Sequence, residues 1–257
     1  MTSGFALAWH QFRYDQRVFW RNPASVFFTV LLPLIFLFIF SSIFGSETIS
    51  ERGGITVSTY YVPGIMTLAI VSATLVSVAI ALVESRESGR LKRVRSTPLP
   101  VWGFVAGRIG NAVVVSLMMT VIITAIGKLV YDVQVPDQTV PALLLTLMVG
   151  AFAFSSLGFA LTALIPSEDA APPITNVTVL PLYFLSGVFI PETEIPDSVL
   201  DFSSIFPIRH FFEAFLAAFD PNTVGAGFEW GHLAIVALWG LGGLLLAARF
   251  FRWAPAH

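Results

Sequence analysis

Glu84-Ser-Arg-Glu-Ser-Gly-Arg-Leu-Lys-Arg-Val-Arg-Ser-Thr-Pro98 is the densest run of charge in a 257-residue chain of which only 12% is charged and 56% is hydrophobic. Soluble domains carry about twice that charge, roughly 25%. Long apolar runs flank the segment on both sides. Short basic loops between such runs fix membrane orientation or touch anionic lipid. They also offer a surface to a soluble partner, and the order of residues has to choose between these roles.

Crossing a bilayer takes roughly 20 apolar residues. Six runs qualify: Ser25–Gly45, Val62–Val83, Ile109–Gly127, Pro141–Ile165, Pro173–Ile190 and Gly231–Ala248, the fifth being the shortest. The fold class expected is an all-α polytopic membrane protein, one transmembrane unit over residues 1–257, with no room for a separate soluble domain. The first run follows about twenty residues and is longer than the 7–15-residue core of a secretory signal, so it is expected to remain. Arg13, Arg17, Arg21, Arg86, Arg90, Lys92, Arg93, Arg95, Arg108, Arg249 and Arg252 fall on one side of these spans, leaving Arg52, Lys128 and Arg209 on the other. The positive-inside rule then puts both termini in the cytoplasm of a multi-pass plasma (inner) membrane protein, which requires an even number of spans.

Residues 1–24 carry Phe5, Trp9, Phe12 and Phe19 at helical spacing, with Trp20 beside the last and Arg13, Asp15, Gln16 and Arg17 on the other face. This predicts an amphipathic helix lying in the membrane interface. Pro33 is expected to bend the first span. Ala69, Ala73, Ser77 and Ala81 make a ridge of small residues, suited to close helix packing within one chain or across a dimer. In the fifth span, Asn176 needs a partner helix or a wet cavity. Residues 191–230, rich in carboxylates and phenylalanines, predict two short amphipathic helices, either sunk into the outer leaflet or capping the span ends. Arg209 and Glu213, four apart, predict a local ion pair.

The chemistry of an enzyme is missing from this pattern. There is no cysteine, and Gly127-Lys128 is followed by Leu129, without the features of a phosphate-binding loop. His10, His210, His232 and His257 lack metal-ligand spacing, so no metal and no catalytic residue is expected. No acidic residue falls inside the six runs, which weighs against proton-coupled secondary transport. Nothing points to nucleic acid.

The charged segment, with its order Glu84, Arg86, Glu87, Gly89, Leu91, Val94, Thr97-Pro98, resembles the cytoplasmic loop after the second span of type-2 ATP-binding-cassette (ABC) exporter permeases. The likeness extends along the chain. Arg21-Asn22-Pro23 and Pro33-Leu34 resemble that family's opening, Phe184-Leu-Ser-Gly187-Val-Phe-Ile-Pro191 its fifth span and outer loop, and Ile205-Phe-Pro207 its outer helices. Drug-resistance permeases of the daunorubicin-exporter kind are the subgroup it is most similar to. The resemblance implies a coupling helix over residues 84–98 that docks on a separate cytoplasmic ABC ATPase. Gly89 would break it into two arms, Leu91 and Val94 would form an apolar knob, and Arg86, Arg90 and Arg93 would pair with acids. Thr97 and Pro98 would end the arm. Lys92, Arg93 and Arg95 make the second arm more basic than the family pattern.

It further implies two permeases, identical or paralogous, and no cofactor in this chain, ATP and magnesium belonging to the ATPase. Cargo would move outward by alternating access through a path lined by the first, second and fifth spans, for which Phe27, Phe28, Ser72, Asn176, Tyr183 and Phe184 are the candidates. Aromatic and uncharged, that path suits a lipophilic or amphipathic small molecule or lipid. A glycan exporter, a secondary carrier and a membrane scaffold are the competing readings.

Overall fold

Asn22 separates two helices that differ in character, and its side chain explains the break. In the computed structural model, which describes residues 4–96 and 101–251, its Oδ1 accepts hydrogen bonds from the backbone N–H of Ala24 (3.1 Å) and Ser25 (3.2 Å). Pro23 occupies the first helical position, where its missing N–H costs nothing. Helix α1 (Gly4–Arg21) precedes this cap and α2 (Pro23–Phe44) follows it. A two-residue hairpin, β1 (Thr48–Ile49) against β2 (Ile55–Thr56), leads to α3 (Val57–Glu87). The chain continues as α4 (Arg90–Arg95), α5 (Val101–Tyr131), α6 (Val140–Leu161), α7 (Ala171–Leu185), α8 (Asp197–Ser203), α9 (Pro207–Phe219) and α10 (Trp230–Phe250).

Among the described residues, α2, α3, α5, α6 and α10 are long and apolar enough to cross a membrane. The fifth expected span behaves differently. Its helix, α7, has 15 residues and is about 22 Å long at 1.5 Å per residue, less than the roughly 30 Å of a hydrocarbon core. The apolar run continues to Ile190 but the helix does not. Gly187 adopts φ +80°, a conformation open to glycine, and its carbonyl accepts a 2.6 Å hydrogen bond from the buried Tyr60 hydroxyl. Val188 and Phe189 are apolar because they fold back beneath the start of α3, where Tyr61 donates to the Phe189 carbonyl (3.3 Å).

Helix α3 is the centre of the molecule, with every side chain from Val57 to Val71 buried. Ala69 and Ala73, half of the small-residue ridge, are consumed within this chain's own core. Helices α6 and α10 pack closely, and a Cβ added at Gly240 would lie 2.7 Å from the Ala153 Cα. Helix α9 inserts Phe211, Phe212 and Phe215, all fully buried, against Tyr60 and Phe154. Of the two expectations for the 191–230 region, a cap bedded into the bundle describes this helix.

Helix α1 is more than an interfacial float. Gln11 and Phe12 lie over Gly107 and Gly110 of α5, and Asp15 faces Arg108 at 3.6 Å. Burial raises the Asp15 carboxyl pKa, partly offset by Arg108 and by the hydrogen bond from Gln11. Trp9 and Trp20 stay exposed for the surrounding lipid.

Two wide π-turns interrupt the spans, Phe27–Leu31 in α2 and Ser72–Val76 in α3. The first lies just before Pro33, whose ring would collide with the carbonyl of a regular turn. In the second, the Thr74 hydroxyl donates back to the Ile70 carbonyl at 2.6 Å. The hydroxyls of Thr29 and Ser77 meet at 3.2 Å and tie the two interrupted helices together.

Candidate coupling elbow and membrane path

Helix α3 runs past its apolar stretch to Glu87, and the chain turns at Ser88-Gly89 before α4 begins. Gly89 has φ +68° and open space around it, so the break depends on backbone freedom rather than crowding. The expected two-armed elbow is present as far as Ser96, while Thr97 and Pro98 lie outside the described residues.

Which residues face outward differs from expectation. Arg86 is buried, with its side chain 5% exposed. It donates to the backbone carbonyls of Thr162 (3.1 Å) and Ile165 (2.7 Å), beyond the end of α6, and to Glu87 (2.8 Å). A cation over the unsatisfied carbonyls of a helix C-terminus is well placed both electrostatically and for hydrogen bonding. Leu91 is 1% exposed and sits among Val78, Leu82, Phe104, Ala112, Phe159 and Ala247. Neither residue is presented to a partner: Arg86 and Leu91 hold the elbow to the bundle. Glu84 and Arg90 pair across the turn at 3.2 Å, both partly exposed. Lys92 and Arg93 are exposed, and Glu87 is half-buried beside them. Val94 belongs to α4. What the elbow offers is a basic face, rather than an apolar knob centred on Leu91.

The six path candidates divide into an exposed and an inward group. Phe27 and Phe28 lie in the π-turn of α2, edge to face at 5.3 Å, and both are exposed. Asn176 and Phe184 are exposed on α7, where the Phe184 ring packs 5.0 Å from Phe189. Tyr183 turns inward, 2% exposed, and donates to the Leu68 carbonyl at 3.3 Å near the half-buried Ser72. Within one chain the structure joins Ser72 to Tyr183 and Phe27 to Phe28. It does not gather all six around one cavity.

At the opposite end, sequence reasoning missed an ion network. Arg52 binds Glu192 at 2.6 Å and Glu213 at 3.1 Å, and Arg209 binds the other oxygen of Glu192 at 2.7 Å. The expected Arg209–Glu213 pair is therefore replaced by pairs between distant segments, because Glu213 points inward toward the turn that carries Arg52. Burial, opposed by Arg52 and reinforced by Glu192, holds the Glu213 pKa up at about 7. Burial also acts to raise Glu192, but the hydrogen bond from Glu213 and the charges of Arg52 and Arg209 outweigh it and hold this carboxyl below its ordinary range. The one sequence signal was that Arg52 and Arg209 stand almost alone among carboxylates on that side. Nearby, His210 and His232, which sequence spacing kept apart, face each other with Nδ1 atoms 2.7 Å apart. His210 Nε2 lies 2.7 Å from the Ser204 carbonyl, which assigns its proton. His210 Nδ1 is then the acceptor and His232 the donor.

These features define a multi-pass helical membrane protein with an anchored basic elbow between two of its long helices. The sequence profile of the ABC-2 type transporter family matches residues 4–219, and the chain belongs to that family. It is 24% identical over 192 residues to a Bacillus subtilis protein named transport permease YvfS, covering 74% of this chain and 76% of that one. It is also 24% identical over 190 residues to the inner membrane transport permease YadH of Escherichia coli, covering 74% and 73%. A third relative, named as a multidrug ABC transporter permease, YbhR of Escherichia coli, is 25% identical over 153 residues, 59% of this chain and 41% of its own. Membership makes this chain the membrane component of an ABC transporter, a family that works with an ATPase.

Proposed function

We propose that this chain is the permease subunit of an ATP-driven exporter that moves lipophilic or amphipathic molecules out of the cytoplasm. The observation that carries the reading is the elbow at residues 84–96, anchored by Arg86 and Leu91 with Lys92 and Arg93 facing outward. In this orientation the basic end lies in the cytoplasm, by the positive-inside rule. Helix α7 acts as a sixth, short span whose outer end is closed by the turn at Gly187 rather than by further helix. A separate ATPase docks on the basic face of the elbow and holds ATP and magnesium. Two permease chains meet along the exposed faces of α2 and α7, so that Phe27, Phe28, Asn176 and Phe184 line the path between them and Ser72 and Tyr183 support its wall. Lipophilic cargo is supported by the aromatic, uncharged character of these faces and by the name of the relative YbhR. A daunorubicin-type substrate belongs to the same class.

Capture of the ATPase tests this directly. The tagged chain is solubilised from its native membrane in mild detergent and its bound proteins are identified by mass spectrometry, beside Lys92→Glu/Arg93→Glu. A nucleotide-binding ATPase retained by the parent and lost from the double variant supports both the reading and the docking face. An ATPase retained equally by both moves the dock elsewhere, and none retained by the folded parent defeats the reading.

A further inference from the structure

A groove of about 520 Å³ opens between the helices, and none of the six path candidates is part of its lining. Its floor is α6 at Phe154, Leu157 and Leu161, and its walls are α7 at Leu182 and α10 at Leu246 and Phe250. The turn Phe206–Ile208 roofs one end. Three properties restrict what fills it. First, its polar lining is already committed: Thr178 donates to the Ile174 carbonyl (2.8 Å) and Trp239 Nε1 to the Ile205 carbonyl (2.9 Å). An occupant therefore meets no unspent side-chain donor and has to be hydrocarbon along its length. Second, the groove is open beside the exposed flank of α10, where Leu238 and Leu245 are 66% and 72% exposed, on a helix apolar enough to lie in a bilayer. Third, along α10 it extends from Trp239 to Phe250, about 16 Å at 1.5 Å per residue. One leaflet of a roughly 30 Å hydrocarbon core is about 15 Å deep. The groove thus begins at mid-membrane and ends at the basic end of the bundle.

We propose that this groove takes one acyl chain of a membrane phospholipid drawn from the leaflet at the basic end. The terminal methyl lies under the Phe206–Ile208 roof and the ester end lies near Phe250 and Leu164. Calling that leaflet cytoplasmic rests on the orientation proposed above; the binding itself does not. The roof is tied to α10 by the Trp239–Ile205 bond, and the His210–His232 contact joins α9 to α10 alongside it. The seat is therefore built by the same outer elements that bury Phe211 and Phe212 in the core.

The test uses the full chain reconstituted in phosphatidylcholine vesicles containing a trace of phosphatidylcholine with a diazirine on one acyl chain, either near the terminal methyl or near the ester. After photolysis, adducts are mapped by mass spectrometry. The terminal probe is expected to label Leu157 and Phe206, and the ester-side probe Leu161 and Leu164. Ordinary annular lipid is read out at Leu238 and Leu245. Leu246→Trp, at an exposed position, and Ala160→Trp each narrow the groove. Floor adducts should fall about tenfold in both, with adducts at Leu238 and Leu245 unchanged. Floor residues left unlabelled while Leu238 and Leu245 react, or floor adducts indifferent to both substitutions, would overturn the proposal. A reversed order of the two probes would overturn the assigned leaflet. No ATPase or nucleotide is present, so this failure and a failure of the ATPase capture are separately visible.

Discussion

The two ends of this bundle each pin an arginine, fully buried at one end and half-buried at the other, and the partners chosen for them differ in kind. At the basic end Arg86 is held mainly by backbone carbonyls of Thr162 and Ile165, with Glu87 alongside. At the acidic end Arg52 is held by two carboxylates, Glu192 and Glu213, with Arg209 behind the first. Carbonyls do not titrate, so the Arg86 contact has one state over the physiological pH range. Carboxylates do titrate, and Glu213 is poised to do so near neutrality. The coupling role proposed for the elbow needs a rigid root, and Arg86 with Leu91 supplies one. The outer network has the composition of a joint whose strength depends on its protons.

Removing each root is the most forceful way to break this comparison. Arg86→Ala orphans the buried carbonyls beyond α6 and is expected to cost about 3–5 kcal/mol, the range for breaking a buried charged contact. Arg86→Lys should recover only part, because an ammonium cannot fork to carbonyls in the geometry of a guanidinium. Unfolding in detergent followed by tryptophan fluorescence measures both. A loss below about 1 kcal/mol for Arg86→Ala would place it among ordinary surface contacts. Leu91→Ala comes next, at about 2–4 kcal/mol for a buried leucine. Arg93→Ala, two residues away and exposed, should stay within about 0.5 kcal/mol while weakening ATPase retention. That pair sharpens the division of the elbow into an anchoring face and a presenting face. Equal destabilisation by both substitutions would erase it.

This division was only partly legible beforehand. The apolar runs, the charge asymmetry and the break at Gly89 follow from local composition and backbone preference, which sequence carries directly. The direction of Arg86 does not. Among Arg86, Arg90 and Arg93, only the position of α6 in space determines which one meets open carbonyls, and α6 ends some seventy-five residues later. Leu91 was misjudged for the same reason, since an apolar residue in a charged loop fits a partner's groove or this chain's own core equally well. The α7 boundary was obscured by hydropathy, because Val188 and Phe189 are buried beyond the end of the helix. The outer ion network joins residues 52, 192, 209 and 213, contacts without any periodic signal. The groove proposed for an acyl chain is lined by α3, α6, α7, α9 and α10 together and has no counterpart in a linear pattern.

The smallest expected effect tests the titratable half of the comparison. Glu213 has a folded pKa of about 7 against an ordinary value of 4.5, with burial the largest cause. A carboxylic acid raised in this way keeps its proton in the folded state after the unfolded chain has lost it. Its contribution to stability is therefore complete below about pH 4.5 and is lost as pH rises toward 7. Glu192, held below its ordinary range, acts in the opposite sense, contributing above that range and losing its effect only in acid. Between pH 5 and 8 the Glu213 trend stands alone within the carboxylate pair. Amide hydrogen exchange of residues 50–56 and 207–219, corrected for intrinsic rates, should accelerate with pH relative to residues 84–93. Glu213→Gln, which keeps the shape without the titrating proton, should flatten the difference. A pH-independent parent, or a slope unchanged in Glu213→Gln, would show the acidic end to be as fixed as the basic one.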